Sequence, residues 1–197
     1  MSTLEAIRTF IAIPLPHELT DQLGQVQKQL RRSAPDCVRW VAPSKIHLTI
    51  YFLGDVLTDR IDPIREALTV VARNLQPFDF EVSGLGAFPN PHRARVLWVG
   101  IKDPTSWLGL LQDAVAEAMA HLGFQRETRK FSPHLTLGRV KRGTSAGELR
   151  ELGAIIETTQ VGILGTVTVE ELILFQSTLK PGGAEYSPLG HFELRSP

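Results

Sequence analysis

The tetrapeptides His47-Leu48-Thr49-Ile50 and His134-Leu135-Thr136-Leu137 stand 87 residues apart in a chain of 197. A shuffled chain of this composition contains His-Leu-Thr only about 0.06 times, so two copies point to internal duplication. The surrounding segments repeat in the same order. In the first half, apolar and β-branched runs predict strands at 8–15, 46–53 and 78–85, the second ending at Gly54-Asp55. Leu19, Leu23, Val26 and Leu30 recur at helical spacing and predict a helix over 18–32, with another over 59–74. The second half predicts strands at 95–101 and 131–140, a long closing strand at 167–177, and helices over 103–122 and 146–158. Asp103 reads as the cap of the first of these helices, with Pro104 at its first position.

The expectation is an α+β fold: one domain over 1–197, made of two lobes that interleave in sequence around a pseudo-twofold axis. Each lobe carries one His-x-Thr-x motif, at 47–50 and 134–137. The halves share little identity outside the motif, so element order carries the inference.

Side chains alternate faces along a strand. His47 and Thr49 therefore share one face while Leu48 and Ile50 pack inward, and His134 and Thr136 relate to Leu135 and Leu137 in the same way. Two imidazoles and two hydroxyls facing one cleft suit the displacement of one oxygen from phosphorus by another. That reaction wants a base on the attacking side and an acid on the leaving side. Imidazole serves either role near neutral pH, and hydroxyls and cations offset charge on the phosphoryl oxygens.

A cationic stretch surrounds the second motif. Arg126, Arg129, Lys130, Arg139, Lys141 and Arg142 face only Glu127, in a chain with 21 basic and 21 acidic residues. Strict alternation puts Arg139 on the face opposite His134, so a bulge or strand end at Gly138 is needed to turn it inward. His17, His121 and His191 read as structural, as does His92, although His92, Arg93 and Arg95 form a loop that could touch substrate.

Histidines at i, i+2 or i+4, or a neighbouring carboxylate, would signal a metal site. The nearest downstream acids are Asp55 and Glu148, so no metal or other cofactor is expected. Cys37 is the only cysteine, which excludes an intramolecular disulfide and suits a reducing cytoplasm. No apolar run reaches the roughly 18 residues of a membrane span, and the first 13 residues read as a strand rather than a signal peptide.

At these residues the chain resembles the LigT-like branch of the two-histidine phosphoesterase superfamily, the RNA 2',3'-cyclic phosphodiesterases also called 2'-5' RNA ligases. The likeness runs through RTFIAIPLP, WVAPSKIHLTIYFLGDV, RARVLWVGI, FSPHLTLGRV and LFQSTLKPGGAEYSPLGHFEL. It implies a bilobed fold with antiparallel sheets lining a central cleft, and metal-independent hydrolysis of a terminal 2',3'-cyclic phosphate to a 2'-phosphomonoester. It further implies His47 as proton donor to the departing 3'-oxygen and His134 as acceptor from water. Thr49 and Thr136 carry over as phosphate contacts and Arg139 as a substrate contact. Ligation to a 2'-5' bond would be the reverse of cleavage, with an RNA hydroxyl in place of water. RNA ends or small cyclic nucleotides are the expected substrates of a monomer with no obligate protein partner. A module that holds RNA ends without turnover, and a metal-dependent phosphohydrolase, are the alternatives.

Overall fold

The computed structural model describes residues 5–126, 130–181 and 183–195. Nine strands occur among them: β1 (Ala6–Ile13), β2 (Val38–Trp40), β3 (Leu48–Leu57), β4 (Phe78–Phe88), β5 (Val96–Lys102), β6 (His134–Val140), β7 (Ile163–Val169), β8 (Glu171–Lys180) and β9 (Gly183–Glu193). Four α-helices accompany them: α1 (His17–Ser33), α2 (Ile61–Arg73), α3 (Trp107–His121) and α4 (Ala146–Thr158). The strands form two antiparallel sheets, one of order β3-β1-β8-β9 and one of order β2-β6-β5-β4-β7. Helices α2 and α3 pack on the four-stranded sheet, α1 and α4 on the five-stranded one.

The helices follow their apolar stripes. Leu19, Leu23, Val26 and Leu30 of α1 are all buried, and α4 opens on a capping box in which Ser145 and Glu148 exchange hydrogen bonds. In the strands, Leu48, Ile50, Leu135 and Leu137 are at most 4% exposed. These apolar partners of the motif histidines anchor both strands in the core, so a one-residue slip of either strand would turn its two buried side chains outward. One histidine motif belongs to each sheet.

Four features depart from the sequence expectations. The single strand at 167–177 is two strands, β7 and β8, which part around Glu170 and join different sheets. Strand β9 escapes sequence reading because Pro188 and two glycines interrupt its pattern; as an edge strand it tolerates a residue without an N–H. Helix α3 begins at Trp107, and Asp103 stabilises it from outside by accepting from Leu108 N at 2.8 Å. Strand β3 runs on through Gly54, whose φ of 79° fits an irregular stretch of the β1 pairing. Among the described residues no helix is long and apolar enough to cross a membrane.

Candidate active site

His47 lies just ahead of β3 and His134 opens β6. Each imidazole is held in the same way. His47 Nδ1 lies 2.9 Å from the Lys45 carbonyl, and His134 Nδ1 lies 2.8 Å from the Ser132 carbonyl. A carbonyl only accepts, so each Nδ1 carries the hydrogen of the neutral tautomer and each Nε2 keeps its lone pair. The backbone two residues upstream therefore fixes both ring orientation and reactive nitrogen.

Cross-strand partners share a face, and this locates the other groups. In the four-stranded sheet Thr49 pairs with Ala12, while Phe10 pairs with both Phe52 and Phe175. The face away from α2 and α3 thus carries Thr49, Phe10, Phe52 and Phe175. In the five-stranded sheet Trp98 pairs with Thr136, Gly100 with His134, and Val96 with Arg139. Because Val96, Trp98 and Gly100 alternate onto one face of β5, His134, Thr136 and Arg139 all stand on the same side.

Arg139 reaches that side through a bulge. Trp98 pairs with Thr136 and Leu97 with Gly138, leaving Leu137 as the extra residue. The Leu137 carbonyl accepts from Val41 N at 2.9 Å and from Gln27 Nε2 at 2.8 Å, and Gln27 also donates to Val41 O. Gln27 is 2% exposed, a buried amide committed to holding the bulge. Gly138 has to lack a side chain, since a Cβ there would lie 2.7 Å from Val38 Cγ1. The expected bulge exists, displaced by one residue.

Burial lowers the pKa of His134 and raises that of Tyr186; the charge of Arg139 adds to the first shift and opposes the second, although Tyr186 belongs to the other sheet. Strand β3 of one sheet also runs close to β6 of the other. The open faces of the two sheets therefore front one space. The Arg139 side chain has no ion-pair or hydrogen-bond partner among the described residues, nor do the hydroxyls of Thr49 and Thr136.

Aromatic rings wall both imidazoles, a feature that sequence reasoning missed. Phe10 stacks on His47 at 4.8 Å, and Tyr186 meets it edge-on at 5.1 Å. Phe88 meets His134 edge-on at 4.8 Å and touches Trp98 at 5.2 Å. The Trp98 ring lies over Gly86, where a Cβ would collide with it. The sequence signal was an aromatic on the motif face of each neighbouring strand, visible only once strand pairing is known.

This walling has an electrostatic result. Burial pushes the His47 imidazole below its ordinary pKa, opposed in part by the Lys45 carbonyl. Burial does the same to His134, with the Ser132 carbonyl opposing and the Arg139 charge adding to the depression. Both imidazoles are thereby biased toward the neutral form.

The remaining sequence candidates disperse. His92 pairs with Glu157 of α4, His191 with Glu171 and His17 with Asp21. Lys141 pairs with Asp36. Arg129 and Glu127 lie outside the described residues. Among the described residues no group of three or more His, Cys, Asp or Glu is arranged to hold a metal ion.

Comparison with known proteins bears on this site. The family model described as LigT like Phosphoesterase matches residues 13–98 and again 99–186, so the two matches divide the histidines between them. The chain is 34% identical over 188 residues to the RNA 2',3'-cyclic phosphodiesterase of Methanothermobacter thermautotrophicus, covering 95% of this chain and 99% of that protein. It is 29% identical over 192 residues to the Escherichia coli protein of the same name, covering 96% and 98%. Among solved structures, a Thermus thermophilus protein superposes with a TM-score of 0.80 at 26% identity over 96% of this chain and 99% of that one. Escherichia coli LigT complexed with 3'-AMP superposes with a TM-score of 0.77 at 25% identity, with the same coverage.

Proposed function

We propose, from the premise that the chain belongs to the LigT-like phosphoesterase family, that His47 and His134 are the acid and base of an RNA 2',3'-cyclic phosphodiesterase. The observation that carries this reading is the matched tethering of two Nδ1 atoms, which leaves two Nε2 atoms free on sheets fronting one space.

The substrate is an RNA end closed by a 2',3'-cyclic phosphate. Water attacks phosphorus as His134 Nε2 takes its proton. The P–O3' bond breaks on the far side, and protonated His47 gives its proton from Nε2 to the departing 3'-oxygen. The products are a 2'-phosphomonoester and a 3'-hydroxyl, and solvent restores both protonation states. The Thr49 and Thr136 hydroxyls, free of protein partners, donate to the non-bridging oxygens, and the Arg139 guanidinium offsets the charge that builds there. An RNA 5'-hydroxyl attacking in place of water, with the same P–O3' bond broken, forms a 2'-5' phosphodiester and a 3'-hydroxyl.

The reading treats the chain as a single two-lobed catalytic domain acting as a monomer, since both histidines come from one polypeptide. Cytoplasmic operation fits the lone Cys37, which is buried and whose thiol pKa is pushed up chiefly by that burial.

The test is incubation of cyclic-phosphate-terminated RNA with excess chelator and identification of the product. Accumulating 2'-phosphate is expected, and His47→Ala or His134→Ala lowers turnover by roughly 10²–10⁴. The double variant falls little further, because acid and base act as a unit. Full turnover in either single variant overturns the assignment. Tight binding without product would make the chain an RNA-end binding module, and loss of turnover on chelation would make it a metal-dependent hydrolase.

A further inference from the structure

A groove of about 550 Å³ runs past His47, bounded by Lys45, Phe175, Glu185, Tyr186 and Ser187. Its volume falls in the range that encloses small-molecule ligands. Resting on the acid–base reading above, we infer that this groove seats the nucleotide bearing the cyclic phosphate, and that Lys45 recognises the phosphodiester on its 5' side.

The direction of the reaction sets the placement. The departing 3'-oxygen belongs to the ribose of the terminal nucleotide, so the ribose must lie on the side of the proton donor. His47 is that donor, and the groove opens beside it. The opposite side of phosphorus, facing His134, is left for water. Phe175 and Tyr186 offer ring surface to the sugar and base.

Lys45 ties the groove to the catalytic group. Its carbonyl orients His47, and its side chain crosses to β9, where Nζ donates to Ala184 O at 2.9 Å. An ammonium has three donors, and among the described residues the other two have no acceptor. Glu185 lies in the same groove but is paired with Lys180 at 2.6 Å, so two lysines face one carboxylate and the balance favours an anion. A cation here, beyond the reacting phosphate, distinguishes an RNA end from a free cyclic mononucleotide. The mononucleotide lacks the upstream phosphodiester.

The experiment compares kcat/KM for a mononucleoside 2',3'-cyclic phosphate with that for a dinucleotide ending in the same cyclic nucleotide. The wild type is expected to favour the dinucleotide by about tenfold or more, mainly through KM, and added salt should erode that preference. Lys45→Met brings the ratio toward unity, Lys45→Glu inverts it, and Lys45→Arg largely retains it. A Lys45→Met protein that keeps the full dinucleotide preference overturns the inference, as does a wild type that treats both substrates alike. A wild type that hydrolyses neither substrate refutes the phosphodiesterase reading instead.

Discussion

Tyr186 stands edge-on to His47, with ring planes at 90° and centroids 5.1 Å apart, while Phe10 stacks on the same imidazole. The tyrosine comes from β9 and the histidine from just ahead of β3, strands at opposite edges of the same sheet. This contact keeps water from the imidazole and so contributes to the burial that depresses its pKa. The phenol's own pKa is raised by burial, against the pull of Arg139 and Arg8, so it stays neutral through the working range.

Tyr186→Ala is therefore expected to let water back and to raise the His47 titration toward the ordinary value, as read by NMR of the imidazole. Tyr186→Phe keeps the ring and should leave that titration nearly unmoved. If the alanine variant titrates with the wild type, the ring wall is not what shapes His47.

The pH dependence of kcat/KM follows from the same burial. That parameter reports the free enzyme, in which the proposed acid and base roles require one histidine charged and the other neutral. Both pKa values lie below the usual value of about 6.5, and the optimum falls between the two macroscopic values. It should therefore lie on the acid side of 6.5. The optimum of kcat should lie higher, because the bound phosphate favours the charged imidazole. Coincident optima above neutrality would contradict the electrostatics described here.

The two histidines, their threonines and the packing of Leu48 and Leu135 were legible in the sequence because strand alternation is local. Arg139 was half legible: alternation predicted the wrong face and required a bulge, yet nothing local showed that Gln27, 110 residues away from Leu137, holds it. The same limit hid Phe10, Tyr186, Phe88 and Trp98, which meet the histidines only through strand pairing. The division of β7 from β8 at Glu170 was missed because both strands are apolar and only their partners differ.

The bulge makes a separate prediction. Gln27→Met leaves Val41 O without its side-chain donor and Leu137 O with Val41 N alone. Leaving the Val41 carbonyl without that donor costs about 1–3 kcal/mol, which should appear as a lowered melting temperature. The diagnostic effect is on catalysis: Arg139 loses its fixed bearing, so KM should rise as in Arg139→Met, with a smaller change in kcat. The NMR titration of His134 should also move up in both variants as the guanidinium leaves it. Gly138→Ala, forced against Val38, should behave likewise. Destabilisation without any change in KM or in the His134 titration would reduce Gln27 to an ordinary core residue.

Folding stability should record the depressed histidines. In the unfolded chain each imidazole binds its proton at about pH 6.5, whereas in the folded chain both bind it only at lower pH. Between those values the unfolded state holds more protons, so stability rises with pH. Falling pH erodes it from about 6.5 downward, until both folded imidazoles are protonated. Carboxylates lowered by ion pairs, such as Glu81 with Lys102, act at more acid pH and leave this window to the histidines. Replacing both His47 and His134 with Gln should flatten the dependence of the denaturant midpoint on pH between about 5 and 7. Saturating inorganic phosphate should flatten it in the wild type too, by stabilising the charged rings in the folded state. A slope unchanged by the double substitution would mean that neither ring is held in its neutral form by the fold.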